Sequence, residues 1–237
     1  KSKNKLELYS KIMTDKLINN TFRFRELGEW VNKTTDDIFA DKEVVIFGLP
    51  GAFTPTCSLE QLPGYESAFA EFKKVNIDDI YCISVNDAFV MNAWAENQGL
   101  KNVKVIADGD GAFTRSLGML VDKPAQKFGL RSWRYSAFIV DGNVQKVFVE
   151  PGINNDGIDE DPFEVSDART MLTWLNSAAS SNSVRLKKYT DAETKAYFID
   201  AEKLQKPFDE LVKLQSKQSE SEKLQEELEP LQSTNSE

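Results

Sequence analysis

Two short runs decide what kind of core this chain can build. Residues 43–48 (EVVIFG) are β-branched and apolar on successive positions, and residues 79–85 (DIYCISV) repeat the pattern. A strand that is apolar on both faces needs a layer above and a layer below, which helices supply in α/β architectures. Stretches of helical character separate these runs. Thr54 followed by Pro55 fits an N-cap with proline at the first helical position. Pro63-Gly64 is expected to kink that helix before the amphipathic stretch 65–75. Residues 87–97 read as a helix, 103–107 as a further strand and 111–117 as a short helix. Asp141-Gly142-Asn143, between the apolar runs 135–140 and 144–149, is a strong hairpin signal. A closing helix over 167–178 turns Met171, Leu172, Trp174 and Leu175 inward. Before the first buried strand, residues 21–27 alternate around Phe22 and Phe24 like an edge strand, and 34–40 form a polar connection with room for a helical turn.

The chain has 237 residues, 41% of them hydrophobic, which suffices for one sizeable domain and an appendage. No apolar run is long enough to span a bilayer, and residues 1–20 lack the continuous apolar stretch of a secretory signal. A formal charge of −9 argues against a nucleic-acid partner, because an acidic surface repels phosphate. Two cysteines cannot staple a fold, and their scarcity fits a reducing compartment such as the cytoplasm or an organelle matrix. The absence of histidine is more restrictive. It removes Ser-His-Asp and Cys-His nucleophile activation and the usual zinc sites. Any cysteine chemistry must run without an imidazole base.

Composition also divides the chain. Residues 177–183 are small and polar, as a linker is. From Asp191 onward there is no glycine or tryptophan, and Glu, Lys, Gln, Leu and Ser dominate. Leu204, Phe208, Leu211 and Val212 share a helical face, and Leu224, Leu228 and Leu231 make a weaker one. The expected organisation is an extension over 1–19, a domain over 20–179 and a helical or partly disordered extension over 180–237.

The chemistry points to Cys57. It closes the run Pro50-Gly51-Ala52-Phe53-Thr54-Pro55-Thr56-Cys57 and falls in the first turn of the expected helix. Free backbone N–H groups and the positive end of the helix dipole stabilise a thiolate there, and the thiolate is the reactive form. The Thr54 hydroxyl can donate to the sulfur across one turn. Each residue also has a plainer reading: a small buried hydrophobe for Cys57, an N-cap for Thr54, a surface ion pair for Arg134. Asp156, Asp159, Glu160 and Asp161 crowd the loop 154–161. They lack the glycine and ligand spacing of an EF-hand, so a solvated loop is expected and no metal.

The string PGAFTPTCS, the LPGY that follows it and Arg131-Ser132-Trp133-Arg134-Tyr135-Ser136 resemble the type II, peroxiredoxin-5-like peroxiredoxins. The likeness runs from about residue 20 to residue 179. It implies a thioredoxin-like α/β fold, a central mixed sheet flanked by helices. The implied activity is thiol-dependent reduction of hydrogen peroxide and alkyl hydroperoxides. Cys57 would be the attacking thiolate, Arg134 its guanidinium, Arg131 an outer neighbour and Pro50 a shield over the sulfur. No cofactor is implied; glutathione, glutaredoxin or thioredoxin would restore the thiol, and a homodimer is expected. Where many relatives carry histidine four residues after the cysteine, this chain has Gln61. Cys82 stands in a C-x-S-V-N-D context like that of plant members, in a strand where an inert buried thiol is the commoner outcome. No cysteine follows it, so a one-cysteine cycle is expected. Asp87, Phe89 and Trp94 follow in a segment like the family's N-D-P-F-V-M, with Ala88 in place of proline. They are expected to pack the domain or its dimer face, and Phe53 is a candidate interface aromatic. A rival reading keeps the cysteine chemistry but makes it a peroxide-sensing switch that acts on a partner through the tail.

Overall fold

The structure, a computed structural model, describes residues 16–180. The expectations for the extension beyond, its leucine stripes included, lie outside the described residues. The described chain begins β1 (Thr21–Glu26), β2 (Glu29–Thr34), α1 (Thr35–Phe39) and β3 (Glu43–Gly48). A helical segment follows, made of a π-helical turn (Cys57–Gln61), α2 (Leu62–Ser67) and α3 (Phe69–Lys74). Then come β4 (Asp79–Ser84), α4 (Ala88–Asn97), β5 (Lys104–Ala107) and α5 (Ala112–Ser116). The chain continues with β6 (Leu120–Lys123), β7 (Gly129–Ser132), β8 (Tyr135–Val140), β9 (Asn143–Val149) and α6 (Ala168–Ser180).

Five strands form the central sheet in the order β5-β4-β3-β8-β9. β3 pairs parallel with β4 and antiparallel with β8, so the sheet is mixed, as expected. Val44, Val45, Ile46 and Phe47 of β3 are all fully buried, as are Ile80, Cys82 and Ile83 of β4. Each fully buried side chain of this size contributes about 1.5–3 kcal/mol. The uninterrupted apolar runs are therefore the signature of strands covered on both faces. The Asp141-Gly142 turn has φ of 48° and 71°, the left-handed pair of a two-residue hairpin, and sets Val140 opposite Asn143. Asp87 caps α4 by accepting from Phe89 N and Val90 N, and a Thr34–Asp37 capping box starts α1.

Four features differ from the sequence expectations. The 21–27 strand is one arm of a hairpin whose second arm, β2, turns back at Leu27-Gly28 with both φ positive. β6 and β7, unforeseen, form a second two-stranded sheet that delivers Ser132, Trp133 and Arg134 to the centre of the molecule. A π turn, not foreseen in the sequence, lies just before Pro63. There Leu62 N reaches back to Cys57 O, Pro63 stands in the first turn of the α-helix that follows, and the helical segment is interrupted at Ala68. Finally, Lys16 bridges Asn143 and Leu17 joins the core, so the body starts before residue 20.

Candidate active site

β3 ends in the loop that carries the cysteine, and two contacts shape that loop. Ala52 N donates to Asn86 Oδ1 at 3.1 Å, tying it to the end of β4. Arg131 Nη1 donates to Pro50 O at 3.4 Å, and a Cβ at Gly51 would lie 2.6 Å from that nitrogen. Glycine therefore makes room for Arg131, whose guanidinium also stacks on Phe128 at 5.3 Å. Phe53 sits at φ +64° with 54% of its surface exposed, an unfavourable backbone state for an aromatic residue. Pro50 is buried beside these contacts.

Thr54 begins the helix: its carbonyl accepts from Ser58 N at 3.0 Å. Its hydroxyl donates to Gly51 O at 2.8 Å. The single hydroxyl proton is thereby committed, so in this state Thr54 does not donate to sulfur as the spacing suggested. Its oxygen can still accept a hydrogen bond. The peptide N–H groups of the helical turn remain as donors around the cysteine.

Cys57 is fully buried, and Arg134, 1% exposed, lies against it. Arg134 Nη1 is 3.5 Å from Cys57 Sγ and donates to Gln61 Oε1 at 2.7 Å. Nη2 pairs with the Asp161 carboxylate, and Nε donates to Pro162 O at 3.1 Å. The ring of Phe163 lies 5.7 Å from the guanidinium carbon. Gln61 and Cys57, four residues apart, thus face the same nitrogen. Burial works against the charged form of Arg134, but the Cys57 sulfur and Asp161 outweigh it and push its pKa up. Arg131 is half-buried and its pKa is lowered by burial, with Cys57 opposing.

Behind the guanidinium lies a second, deeper network. Gln61 Nε2 faces Ser166 Oγ at 3.4 Å, and Ser166 Oγ donates to Glu150 Oε1 at 2.7 Å. The fully buried Glu150 carboxylate also accepts the N–H groups of Glu164, Val165 and Ser166. Tyr65, stacked on Phe47 at 4.1 Å, closes the network with a 2.8 Å bond to Ser166 O. Trp133 Nε1 donates to Glu150 O at 2.8 Å, which fixes the residue next to Arg134.

Sequence reading did not single out Glu150, Ser166 or Asp161 as site residues. The loop 154–161 is also less solvated than expected. Asp159 pairs with Lys123 at 2.8 Å with 7% and 4% of the two side chains exposed, and Asp161 turns to Arg134. Asp159 and Asp161, just ahead of an apolar Pro162-Phe163, were the available signal. Among the described residues, no group of three or more His, Cys, Asp or Glu could hold a metal ion.

Cys82 is fully buried in β4 and, like Cys57, is a free thiol. Burial, and to a lesser degree the neighbouring Cys57, push its pKa well up while Arg134 pulls it down. A thiol held protonated in an apolar strand is a poor nucleophile. Asp87 and Trp94 serve packing: Asp87 caps α4, and buried Trp94 donates to Ser58 Oγ at 3.0 Å. Phe89 stays 60% exposed, against Trp30 at 5.4 Å.

A five-stranded mixed sheet, a buried thiol at a helix start and a guanidinium on its sulfur define a redox protein of the thioredoxin-like class. A family profile described as Redoxin matches residues 22–172. The chain is 58% identical over 150 residues to a peroxiredoxin of Rhizobium etli, covering 63% of this chain and 83% of that one. It is 52% identical over 155 residues to the hybrid peroxiredoxin hyPrx5 of Haemophilus influenzae, covering 65% and 62%. Among solved structures it resembles reduced Prx3 of Vibrio vulnificus in complex with hydrogen peroxide, with a TM-score of 0.62 and 40% identity over 69% of this chain and 98% of that one. The chain belongs to the redoxin family, in its peroxiredoxin-5-like, type II branch. It is a thiol peroxidase by family.

Proposed function

We propose that Cys57 is the peroxidatic residue of a one-cysteine cycle acting on hydrogen peroxide and small alkyl hydroperoxides. The observation that supports this most directly is the Arg134 Nη1 contact with a fully buried Cys57 Sγ. An ordinary thiol is only a few per cent thiolate at neutral pH and reacts slowly. A permanent cation that donates hydrogen bonds to sulfur favours the thiolate, and it also faces the oxygens of a peroxide brought up to that sulfur.

The thiolate attacks one peroxide oxygen, the O–O bond breaks, and Cys57 becomes a sulfenic acid. The other oxygen takes the bonding pair and leaves as water or alcohol with the proton given up when the thiol ionised. Charge moves from sulfur to the leaving oxygen during this step. Arg134 and the peptide N–H groups at the helix start stabilise it along that path. Thr54, its own proton held by Gly51 O, is set to accept a hydrogen bond from the peroxide O–H and orient it. Pro50 and Arg131 wall the pocket from the loop side. Gln61 takes the place of a titratable histidine with a neutral acceptor that holds Arg134.

An external thiol then reduces the sulfenic acid: one thiol forms a mixed disulfide and releases water, a second releases Cys57. Glutathione, glutaredoxin and thioredoxin are the reductants proposed, which places the protein in a reducing compartment such as the cytoplasm or an organelle matrix. Among the described residues no helix is long and apolar enough to cross a membrane. A homodimer formed over exposed Phe53 and Phe89 fits the same reading. The test is peroxide consumption with each reductant supplied alone, followed by intact mass of the protein. Turnover with at least one of the three, and a mixed disulfide on Cys57, is the expected result. An internal Cys57–Cys82 disulfide would overturn the one-cysteine cycle.

A further inference from the structure

The guanidinium of Arg134 is useful only if one particular nitrogen faces sulfur, and its own side chain does not ensure this. Arginine has several soft torsions, and its planar fork can present any edge. Here the edges are assigned one by one. Nε is held by Pro162 O, Nη2 by Asp161, and Nη1 is left to Gln61 and Cys57. Two of the three anchors come from the single dipeptide Asp161-Pro162.

That dipeptide lies in the long connection between β9 and α6, and the connection is tied down on both sides of it. Ahead of it, Asp122 N donates to Asn155 Oδ1 at 3.0 Å and Lys123 pairs with Asp159 in a nearly closed site. Behind it, Glu150 gathers three consecutive N–H groups from 164 to 166. Between these ties Asp161 adopts φ +50°, a state that aspartate tolerates better than most residues, and its N–H is held by Asp159 Oδ1 at 2.9 Å. The backbone conformation is therefore set by the loop and directs the carboxylate at Nη2. The Asp161 side chain is 40% exposed while that of Arg134 is 2% exposed, so the carboxylate stands at the rim of the site and not in the core.

We propose that Asp161 is a positioning residue for the peroxide reaction, one that fixes the Arg134 fork so that Nη1 stays on the Cys57 sulfur. This inference rests on the peroxidase reading given above. Two effects compete at Asp161. Its charge draws the guanidinium away from a thiolate, whereas its contact orients it. The 3.5 Å separation of Nη1 and sulfur is an N–H···S contact that holds only while the fork points at Cys57, so loss of the anchor outweighs relief of the competing charge.

The experiment measures the second-order rate constant for hydrogen peroxide by stopped-flow tryptophan fluorescence on the full chain. Asp161→Ala is expected to lower it about tenfold, and Asp161→Asn, which keeps an acceptor without the charge, by about threefold. The melting temperature of both should stay close to the parent. In an Arg134→Lys background, which has no fork to orient, Asp161→Ala should cause no further loss, since residues acting through one another are not additive. An unchanged or faster Asp161→Ala variant of a fast parent overturns the inference and leaves the peroxidase reading standing. The same tenfold loss repeated in the Arg134→Lys background overturns it too, by showing a structural effect. A parent no faster than free cysteine sinks both readings together.

Discussion

At the scale of single residues, the site separates reactivity from mere burial. Cys57 and Cys82 are equally hidden from water, yet only Cys57 has a cation against its sulfur and a helix start beneath it. Two predictions follow from that contrast. Arg134→Lys keeps the charge but loses the planar fork, and should slow peroxide oxidation about a hundredfold, the scale of removing a preorganised donor. The loss should appear in the rate constant for oxidation while far-UV circular dichroism is unchanged. Cys82→Ala should oxidise within twofold of the parent, because its thiol takes no part. It leaves a small void in β4 instead, costing about 1 kcal/mol, or roughly 2–4 °C of melting temperature. A Cys82→Ala variant that stalls at sulfenic acid where the parent goes on to an internal disulfide would show that the second thiol does resolve the first.

At the scale of elements, the legible parts are those whose cause is local. The double-sided strands β3 and β4 announce themselves because burial on both faces leaves no room for polar residues. The 140–143 hairpin does so because Asp-Gly is nearly the only pair that fits its turn. β6 and β7 stayed hidden: each has four residues, and Leu120–Lys123 mixes charge with apolar side chains, so no periodicity distinguishes it from a loop. The π turn is illegible for another reason. Its mark is one backbone bond, Leu62 N to Cys57 O, and no residue preference announces it. Asp161 was read as a solvated carboxylate since its partner lies 27 positions away in sequence. What fixes such contacts is tertiary geometry, and no local pattern encodes it.

Glu66 shows the same kind of long-range tie, with a testable pH dependence. From α2 it accepts the N–H groups of Lys101, Asn102 and Val103 ahead of β5, and the Asn102 side chain as well. Burial opposes its ionisation, but these bonds together hold its pKa below the ordinary 4.5. A carboxyl whose folded pKa is depressed stabilises the fold above its unfolded pKa, and that contribution is lost as pH falls through the folded value. Glu66→Gln should therefore lower the melting temperature at pH 7 by about 2–4 °C, the shift that roughly 1 kcal/mol produces at this size. The gap between parent and variant should close on acidification below pH 4.5. A gap that stays constant with pH would show that the carboxylate charge contributes nothing.

At the scale of the whole molecule, the region that carries the chemistry is a self-consistent unit. The redoxin match ends at residue 172, and every residue placed at the site lies between Pro50 and Ser166. A chain ending at Ser180 is therefore expected to oxidise at the parent rate, as measured by the same fluorescence change. Loss of activity on truncation would instead assign the remaining residues a part in peroxide reduction.

The central claim is that the pocket makes Cys57 a fast peroxide reductant. The most direct test mixes the reduced protein with hydrogen peroxide in a stopped-flow instrument, with Cys57→Ser alongside, and follows tryptophan emission. Trp133, buried next to Arg134, is the natural reporter. The account predicts a rapid second-order change, orders of magnitude faster than free cysteine, that is absent in Cys57→Ser. A parent that reacts at the rate of free cysteine, or a rapid change that survives Cys57→Ser, would contradict it.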